Sequence, residues 1–174
     1  LSTSFSHPSE AMKPWDKKRN GFVLSEGAAV LILEEKEHAI KRGARIYSTV
    51  LGGYENSDAY HMTLPRKDGS VLAKCIEQTL NDASLQPSDI DYISPHATST
   101  LIGDLAEMKA IKTVFGNLQV SISSTKSYIG HSLGASGALE AISCIESLRR
   151  NKIHGTMNTK NISQDITANI ILES

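Results

Sequence analysis

Two histidines and one lysine stand in loops of small and hydroxyl residues, which suits them to act on a carbonyl group. His96 lies in the run Pro-His-Ala-Thr-Ser-Thr, and Lys126 precedes His131 by five residues in Lys-Ser-Tyr-Ile-Gly-His. A neutral imidazole donates an N–H hydrogen bond to an oxygen that gains negative charge during a reaction. The pattern predicts an oxyanion-stabilising site. The alternative is two unrelated loop histidines that satisfy local backbone groups.

The helix that follows His131 supports this interpretation. Its N-terminus disfavours an imidazolium, so His131 is expected to stay neutral at pH 7. A buried lysine needs a carboxylate partner, and Glu140 interrupts the otherwise small and apolar surface of the helix. We therefore predict a Lys126–Glu140 pair. The alternative is a solvated lysine and an exposed glutamate.

Three further histidines and both cysteines are assigned no chemistry. His7, His38 and His154 have polar neighbours and are predicted to lie on the surface. Cys75 and Cys144 stand in runs with helical apolar spacing. That spacing favours reduced thiols in the core over a disulfide or a reactive thiol.

Composition and missing motifs exclude several functions. Of the 174 residues, 40% are hydrophobic and 21% charged, and the net charge of −1 provides no basic field for nucleic acid or acidic membranes. No apolar run approaches the roughly 18 residues that cross a bilayer. The chain has no Cys/His spacing for a metal, no nucleotide-binding glycine motif and no serine elbow at residues 134–137.

Short apolar runs alternate with amphipathic segments, which predicts a layered α/β domain. The predicted strands are residues 30–33, 46–51, 90–94, 120–122 and 166–172, the first of them buried on both faces. The predicted helices are residues 34–42, a helix from Ser70, one from an Asp104–Glu107 capping box to Gly116, and one over about 133–150. The last of these should bury Ala138, Leu139, Ile142, Ile145 and Leu148. Ligands tend to bind beyond the carboxyl ends of strands in such folds, where two of the marked loops begin.

Six segments, in order, resemble the C-terminal half of β-ketoacyl-acyl-carrier-protein synthases, the elongating condensing enzymes of fatty-acid synthesis. They are residues 14–23, 25–29, 58–63, 96–100, 124–131 and 134–138. The second, fourth and fifth resemble the family's Gly-Glu-Gly-Ala-Gly, His-Gly-Thr-Ser-Thr and Ser-Thr-Lys-Ser…Gly-His patterns. The resemblance therefore extends over most of the chain.

The resemblance implies a thiolase-like fold, in which two similar halves each contain layers of helix, sheet and helix. Residues 1–20 would be an extended, poorly structured lead from the N-terminal half. Residues 21–174 would be a C-terminal thiolase-like domain that is incomplete at its C-terminal end. The chain begins at Leu1 rather than Met, and we interpret it as a piece of a longer protein.

The resemblance also implies a catalytic group. His96 and His131 would bind the carbonyl oxygen of a malonyl thioester and stabilise the enolate that forms on decarboxylation. Lys126, paired with Glu140, would orient the site. No organic cofactor and no catalytic metal are implied, although a structural monovalent cation near Glu140 would be compatible with the resemblance.

Substrates and partners follow from the same resemblance. Thr98 and Thr100 would bind the phosphopantetheine arm of acyl carrier protein, and Thr63 would lie along the same channel. The partners implied are acyl carrier protein, the N-terminal half of the same protein and a second copy in a homodimer. The expected location is the cytoplasm, with no nucleic acid or membrane partner.

The chain departs from the family pattern at several positions. Neither cysteine lies in the Thr-Ala-Cys-Ser type of elbow that carries the acyl group, so the chain alone is expected to be inactive. The glycine-rich gating loop is also absent. Ala97, Ser25 and Ala29 stand where the family has glycine, and Pro95 replaces a small residue. A methyl group at position 97 is costly if the backbone there has positive φ. These departures indicate a specialised or divergent member.

Three other functions remain open from the sequence. A chain-length-factor-like partner would keep the fold without catalysis, but such partners often lose the histidines and the lysine. A thiolase has a loop similar to residues 130–137 but lacks the other segments. The third alternative is a purely structural or binding module. Because the two halves of the family's fold share a core, the resemblance also implies that the isolated chain exposes apolar surface and self-associates.

Overall fold

The computed structural model describes residues 1–3 and 7–172. Three short parallel strands, β1 (Tyr92–Ile93), β2 (Ser121–Ile122) and β3 (Asn169–Ile170), form a sheet in the order β1-β2-β3. Its helices are α1 (Lys36–Lys41), α2 (Ser70–Asp82), α3 (Leu101–Phe115), α4 (Lys126–Ile129) and α5 (Ser136–Arg150). Single 3-10 turns occupy Pro8–Glu10, Pro87–Asp89 and Leu133–Ala135. The predicted α/β class is confirmed. None of the helices in the described ranges is long and apolar enough to cross a membrane.

The core lies between α3 and the sheet. Met108, Ile111 and Phe115 form one face of α3 and are buried there. Ile122 of β2 and Val120, which directly precedes β2, are buried against them. Helix α2 packs against α3. Burying this apolar surface, at roughly 25 cal/mol per Å², is the main force that holds the sheet and α3 together.

The start of α3 corrects one prediction. Asp104 and Glu107 do not open the helix as a capping box, because α3 begins at Leu101 with Thr100 as its N-cap residue. Asp104 instead accepts hydrogen bonds from the backbone N–H groups of Trp15 and Thr100. Its carboxylate is needed at that position because it satisfies donors from two separate segments.

The first segment of the chain is ordered, and the prediction of a poorly structured lead is wrong for residues 7–20. Trp15 is fully buried in the core. Arg19 lies 3.5 Å from Asp104 in a buried ion pair. Ser163 donates its N–H to the Trp15 carbonyl at 2.9 Å. The segment has no periodicity because long-range hydrogen bonds hold it, and these leave no pattern in the local sequence.

Two predicted strands are extended but unpaired. Residues 30–33 and 46–51 form no strand, and Val30, Ile32 and Val50 are 84%, 87% and 74% exposed. The prediction that the first is buried on both faces is wrong here, because no described segment lies beside it to pair with its backbone or cover its side chains. The predicted exposed apolar surface is confirmed, and self-association stays a prediction.

The remaining predicted helices and strands are present in the structure, but their lengths differ from the predicted ones. Helix α1 ends as predicted before Gly43, whose φ of +72° suits glycine. The predicted strands 90–94, 120–122 and 166–172 are each reduced to two paired residues. Helix α4 was not predicted, since one turn is too short to show a period. The predicted buried face of α5 is wrong, because Ala138, Leu139 and Ile145 are only half-buried and Ile142 and Leu148 are exposed.

Candidate active site

The two histidines lie together at the carboxyl edge of the sheet. β1 and β2 are parallel, so the loops that leave them begin on the same edge. The ring centroids of His96 and His131 are 5.1 Å apart, with the rings at 83° in an edge-to-face arrangement. The structure therefore brings the sequence-predicted pair together and rules out two unrelated loop histidines.

Residues 22–25 hold His131 in place. Its backbone N–H donates to the Val23 carbonyl at 2.8 Å, and its own carbonyl accepts from the Ser25 N–H at 3.1 Å. The Phe22 ring meets the imidazole edge-to-face at 5.2 Å. The end of the first motif segment (14–23) and the start of the second (25–29) therefore position the backbone of His131.

The hydrogen bonds of His131 assign its tautomer. The Leu133 N–H donates to Nδ1 at 3.3 Å, and the Ser136 Oγ lies 3.0 Å from the same nitrogen. Nδ1 is therefore an acceptor, and the ring proton of neutral His131 sits on Nε2. Burial lowers the pKa of His131, and the Lys126 charge lowers it further. His131 is thus a neutral donor, but the cause differs from the predicted one: α5 begins only at Ser136, and burial and the Lys126 charge lower the pKa of His131.

Glu107 anchors the backbone at His96. Its two carboxylate oxygens accept the N–H groups of His96 and Ala97 at 2.6 and 2.8 Å. Burial raises the pKa of Glu107 to about 7, although these two hydrogen bonds oppose the shift. The sequence pattern predicts Glu107 only as part of a helix cap. Its site role was hidden because Glu107 and His96 meet only once α3 packs against the loop.

Ala97 has the strained backbone conformation that the sequence analysis considers for this position. Its φ is +34°, and its side chain is 1% exposed within the core. A residue with a Cβ in this region costs on the order of 1–3 kcal/mol. The buried methyl group recovers part of this cost through its core contacts.

Lys126 and Glu140 form the predicted ion pair. Lys126 Nζ bonds to Glu140 Oε1, and the lysine side chain is 1% exposed against 16% for the glutamate. Burial raises the pKa of Glu140, and the bond to Lys126 opposes that shift. The alternative of a solvated lysine is excluded, while the orienting role of Lys126 stays a prediction.

The three threonines divide into a pair and an outlier. Thr98 is buried, and its Oγ1 lies 3.3 Å from that of Thr100 at the start of α3. Thr63 stands on an exposed loop, where its N–H donates to His61 Nδ1 at 3.1 Å. A cavity of about 130 Å³ opens beside His96 and is lined by Glu107, Arg66 and Pro65, but not by Thr63. The structure thus does not join Thr63 to the other two.

His154 corrects another prediction. His7 and His38 are exposed as predicted, but His154 is half-buried. Its Nε2 lies 3.1 Å from the Tyr92 hydroxyl. No local pattern marks it, since Tyr92 and His154 stand far apart in the sequence.

The two cysteines are free thiols, but they are half-buried rather than in the core. The Cys75 Sγ donates to the Tyr54 carbonyl at 3.3 Å. Burial raises the pKa of Cys144, which keeps it protonated. Neither thiol makes a hydrogen bond with His96 or His131, so the described part of the chain presents no activated nucleophile to the histidine pair.

His96 should remain uncharged well below neutral pH. Partial burial lowers its pKa to about 4, and the nearby Lys126 charge acts in the same direction. Because the folded pKa lies below the ordinary 6.5, the stability that His96 contributes is fully present above pH 6.5. It is lost as the pH falls through 4.

Imidazole NMR of the purified chain measures this directly. We expect the His96 resonances to titrate near pH 4, while those of exposed His7 serve as the reference. A His96 midpoint near 6.5 would contradict the expected effect of burial and of the Lys126 charge.

Comparisons with known proteins give consistent matches. The family model described as beta-ketoacyl synthase, C-terminal domain, matches residues 47–160, and the corresponding N-terminal domain model matches residues 1–39. The boundary between the two family models thus lies between residues 39 and 47, whereas the boundary predicted from the sequence follows residue 20.

Curated relatives have closely similar sequences. The chloroplastic 3-oxoacyl-acyl-carrier-protein synthase I of Hordeum vulgare is 52% identical over 167 residues, which are 95% of this chain and 36% of that protein. The 3-oxoacyl-acyl-carrier-protein synthase 2 of Vibrio cholerae is 45% identical over 174 residues, 98% of this chain and 42% of that protein. The chain therefore spans only about two fifths of the length of these relatives.

Solved structures match the whole fold. One is described as a type II PKS acyl-carrier protein in complex with its ketosynthase bound to the hexaketide. It matches with a TM-score of 0.96 and 37% identity over 100% of this chain and 43% of that chain. A beta-ketoacyl synthase from Burkholderia phymatum matches with a TM-score of 0.93 and 42% identity over 98% of this chain and 42% of that chain.

Proposed function

Because the chain belongs to the beta-ketoacyl synthase family, we propose that it supplies the histidine–lysine half of a decarboxylative condensing site. The substrates are a malonyl and an acyl thioester, both carried on acyl carrier protein. The observation that carries the proposal is the His96–His131 pair, 5.1 Å apart, beside a buried lysine. Two neutral N–H donors directed at one oxygen favour a reaction that generates an enolate.

The reaction divides between this chain and the nucleophile. The malonyl carbonyl oxygen accepts hydrogen bonds from Nε2–H of His131 and from the His96 ring. When the bond to the malonyl carboxylate breaks, CO₂ leaves and its electron pair forms the enolate, whose oxygen both rings stabilise. The enolate carbon then attacks an acyl thioester on a cysteine, a carbon–carbon bond forms, and the cysteine thiolate leaves.

Lys126 contributes a fixed positive charge next to both imidazoles. That charge lowers the pKa of His96 and that of His131, so both remain donors in their neutral forms. The acylated cysteine belongs, in this proposal, to the part of the synthase that the relatives have beyond their match with this chain. The chain by itself should then transfer no acyl group.

A chimeric synthase tests the proposal. The segment of the Hordeum vulgare synthase that matches this chain is replaced by the chain itself, and the purified chimera receives malonyl and acyl thioesters of acyl carrier protein. We expect an acylated cysteine by intact-mass spectrometry and an elongated product. The same chimera with its nucleophilic cysteine replaced by alanine is the control.

The contrary outcome is equally specific. A folded chimera that takes up the acyl group but yields no product would contradict the condensing role. The chain would then be assigned to the non-catalytic partner class, consistent with its 36% identity and TM-score of 0.91 to a structure described as the ishigamide ketosynthase/chain length factor.

A further inference from the structure

A second cluster of polar side chains lies beneath the histidine–lysine site. The Tyr92 hydroxyl is 2.9 Å from Ser123 Oγ and 3.1 Å from His154 Nε2. His154 Nδ1 is 2.9 Å from the Gly155 carbonyl oxygen, which can only accept. Nδ1 therefore carries the ring proton, Nε2 accepts from the Tyr92 O–H, and the Tyr92 oxygen is left to accept from Ser123. Every donor in the cluster has a partner.

The cluster is partly buried. Ser123 is fully buried, and Tyr92 and His154 are half-buried. The rings of Tyr92 and Tyr128 meet the His154 imidazole edge-to-face at 6.2 and 5.9 Å. Burial also raises the pKa of Tyr92, so its hydroxyl keeps its proton. A satisfied polar network in such surroundings is rigid.

Residues that follow His154 and Ser123 in the chain connect the cluster to the Lys126 turn through two sets of hydrogen bonds. Thr156 Oγ1 accepts the Ser124 N–H at 3.1 Å on one side. The Met157 N–H donates to Ser127 Oγ at 2.9 Å on the other, and that hydroxyl donates in turn to the Ser124 carbonyl at 2.9 Å. Residues 154–157 therefore run alongside residues 123–127 and brace the turn that carries Lys126.

We propose that Tyr92, Ser123 and His154 form a positioning cluster that holds Lys126 against Glu140 and so maintains its charge beside the two histidines. None of the three is a catalytic residue, because none touches the reacting atoms. The inference deepens the proposed function and rests on it for its catalytic consequence. The positioning itself is independent of any reaction, since it concerns only where the lysine charge lies.

The titration of His96 is the direct readout. The groups around His96 are Lys126 and His131 across the site, Glu107 on α3, and Arg66 and its partner Asp58 in the adjoining cavity. Of these, Lys126 is the group that the cluster braces. Moving its positive charge away should raise the His96 pKa from about 4 toward the ordinary 6.5, because a nearby positive charge opposes imidazole protonation.

Imidazole NMR of the purified chain compares Tyr92→Phe and His154→Leu with the unmodified chain. Tyr54→Phe, an exposed tyrosine outside the cluster, is the matched control. We expect the His96 midpoint to rise in both cluster variants, to rise less in His154→Gln, which keeps an acceptor, and not to move in the control. An unchanged His96 midpoint in the folded Tyr92→Phe variant would overturn the inference. Ser123→Ala replaces His154→Leu if the latter fails to fold.

The chimeric synthase provides a separate readout. Tyr92→Phe should lower kcat about 10- to 100-fold with little change in KM, because a displacement near 1 Å of a supporting group has costs of that order. If the unmodified chimera is inactive, the proposed function fails, while the NMR titration still decides the positioning role. If the chimera is active and neither the titration nor kcat changes, only the positioning role fails.

Discussion

Replacing His131 by alanine in the chimeric synthase is expected to lower the condensation rate about 10²- to 10³-fold, the usual cost of removing one oxyanion donor. The geometry fixes the tautomer of this residue. Its Nδ1 is occupied by the Leu133 N–H and by Ser136, so Nε2–H is directed into the site. Its backbone is held on both sides by residues 23–25. Alanine removes the donor without disturbing those backbone bonds.

The loss should fall on kcat rather than KM, because the hydrogen bond strengthens only as the oxygen gains charge. His131→Asn, which retains an N–H donor, should lose less than alanine. The matched control is His38→Ala on α1, an exposed histidine whose ring bonds to Glu34. If the rate of His131→Ala stayed within about twofold of the unmodified chimera, the oxyanion role would be untenable.

Removing Glu140 is expected to destabilise the folded chain by about 3–5 kcal/mol, the cost of leaving one member of a buried ion pair unpaired. Lys126 is 1% exposed, so water cannot replace the lost carboxylate. Glu140→Gln keeps a hydrogen-bond acceptor at the same position and should cost less than Glu140→Ala. The size of the effect depends on the burial of the lysine rather than on the strength of the pair itself.

Urea unfolding provides the measurement, with Trp15 as the probe. It is the single tryptophan of the chain and is fully buried, so its fluorescence reports loss of the core. Glu146→Ala on the same helix is the matched control. Its pairs with Arg149 and Arg150 lie at the surface, where solvent screening leaves an ion pair little effect on stability. Equal midpoints for Glu140→Ala and Glu146→Ala, at two protein concentrations, would refute the buried-pair interpretation.

Local patterns predicted the helices whose apolar faces and ends are determined by nearby residues in the sequence. The apolar stripe of α3 and the stop before Gly43 were readable because a helix repeats every 3.6 residues. Patterns failed where burial depends on distant partners. Residues 30–33 have the composition of a buried strand, yet they are exposed because no described segment covers them. Trp15 lies in a segment without period and is nevertheless at the centre of the core.

The sequence by itself determined the family and the α/β class, and it predicted the residues of the candidate site: His96, His131, Lys126 and its partner Glu140. The tertiary structure alone decided how they are held. Glu107 anchors His96, residues 22–25 anchor His131, and Tyr92 meets His154 only after folding. These contacts join residues far apart in the chain, and because a hydrogen bond between distant segments imposes no local period, no sequence pattern announces it.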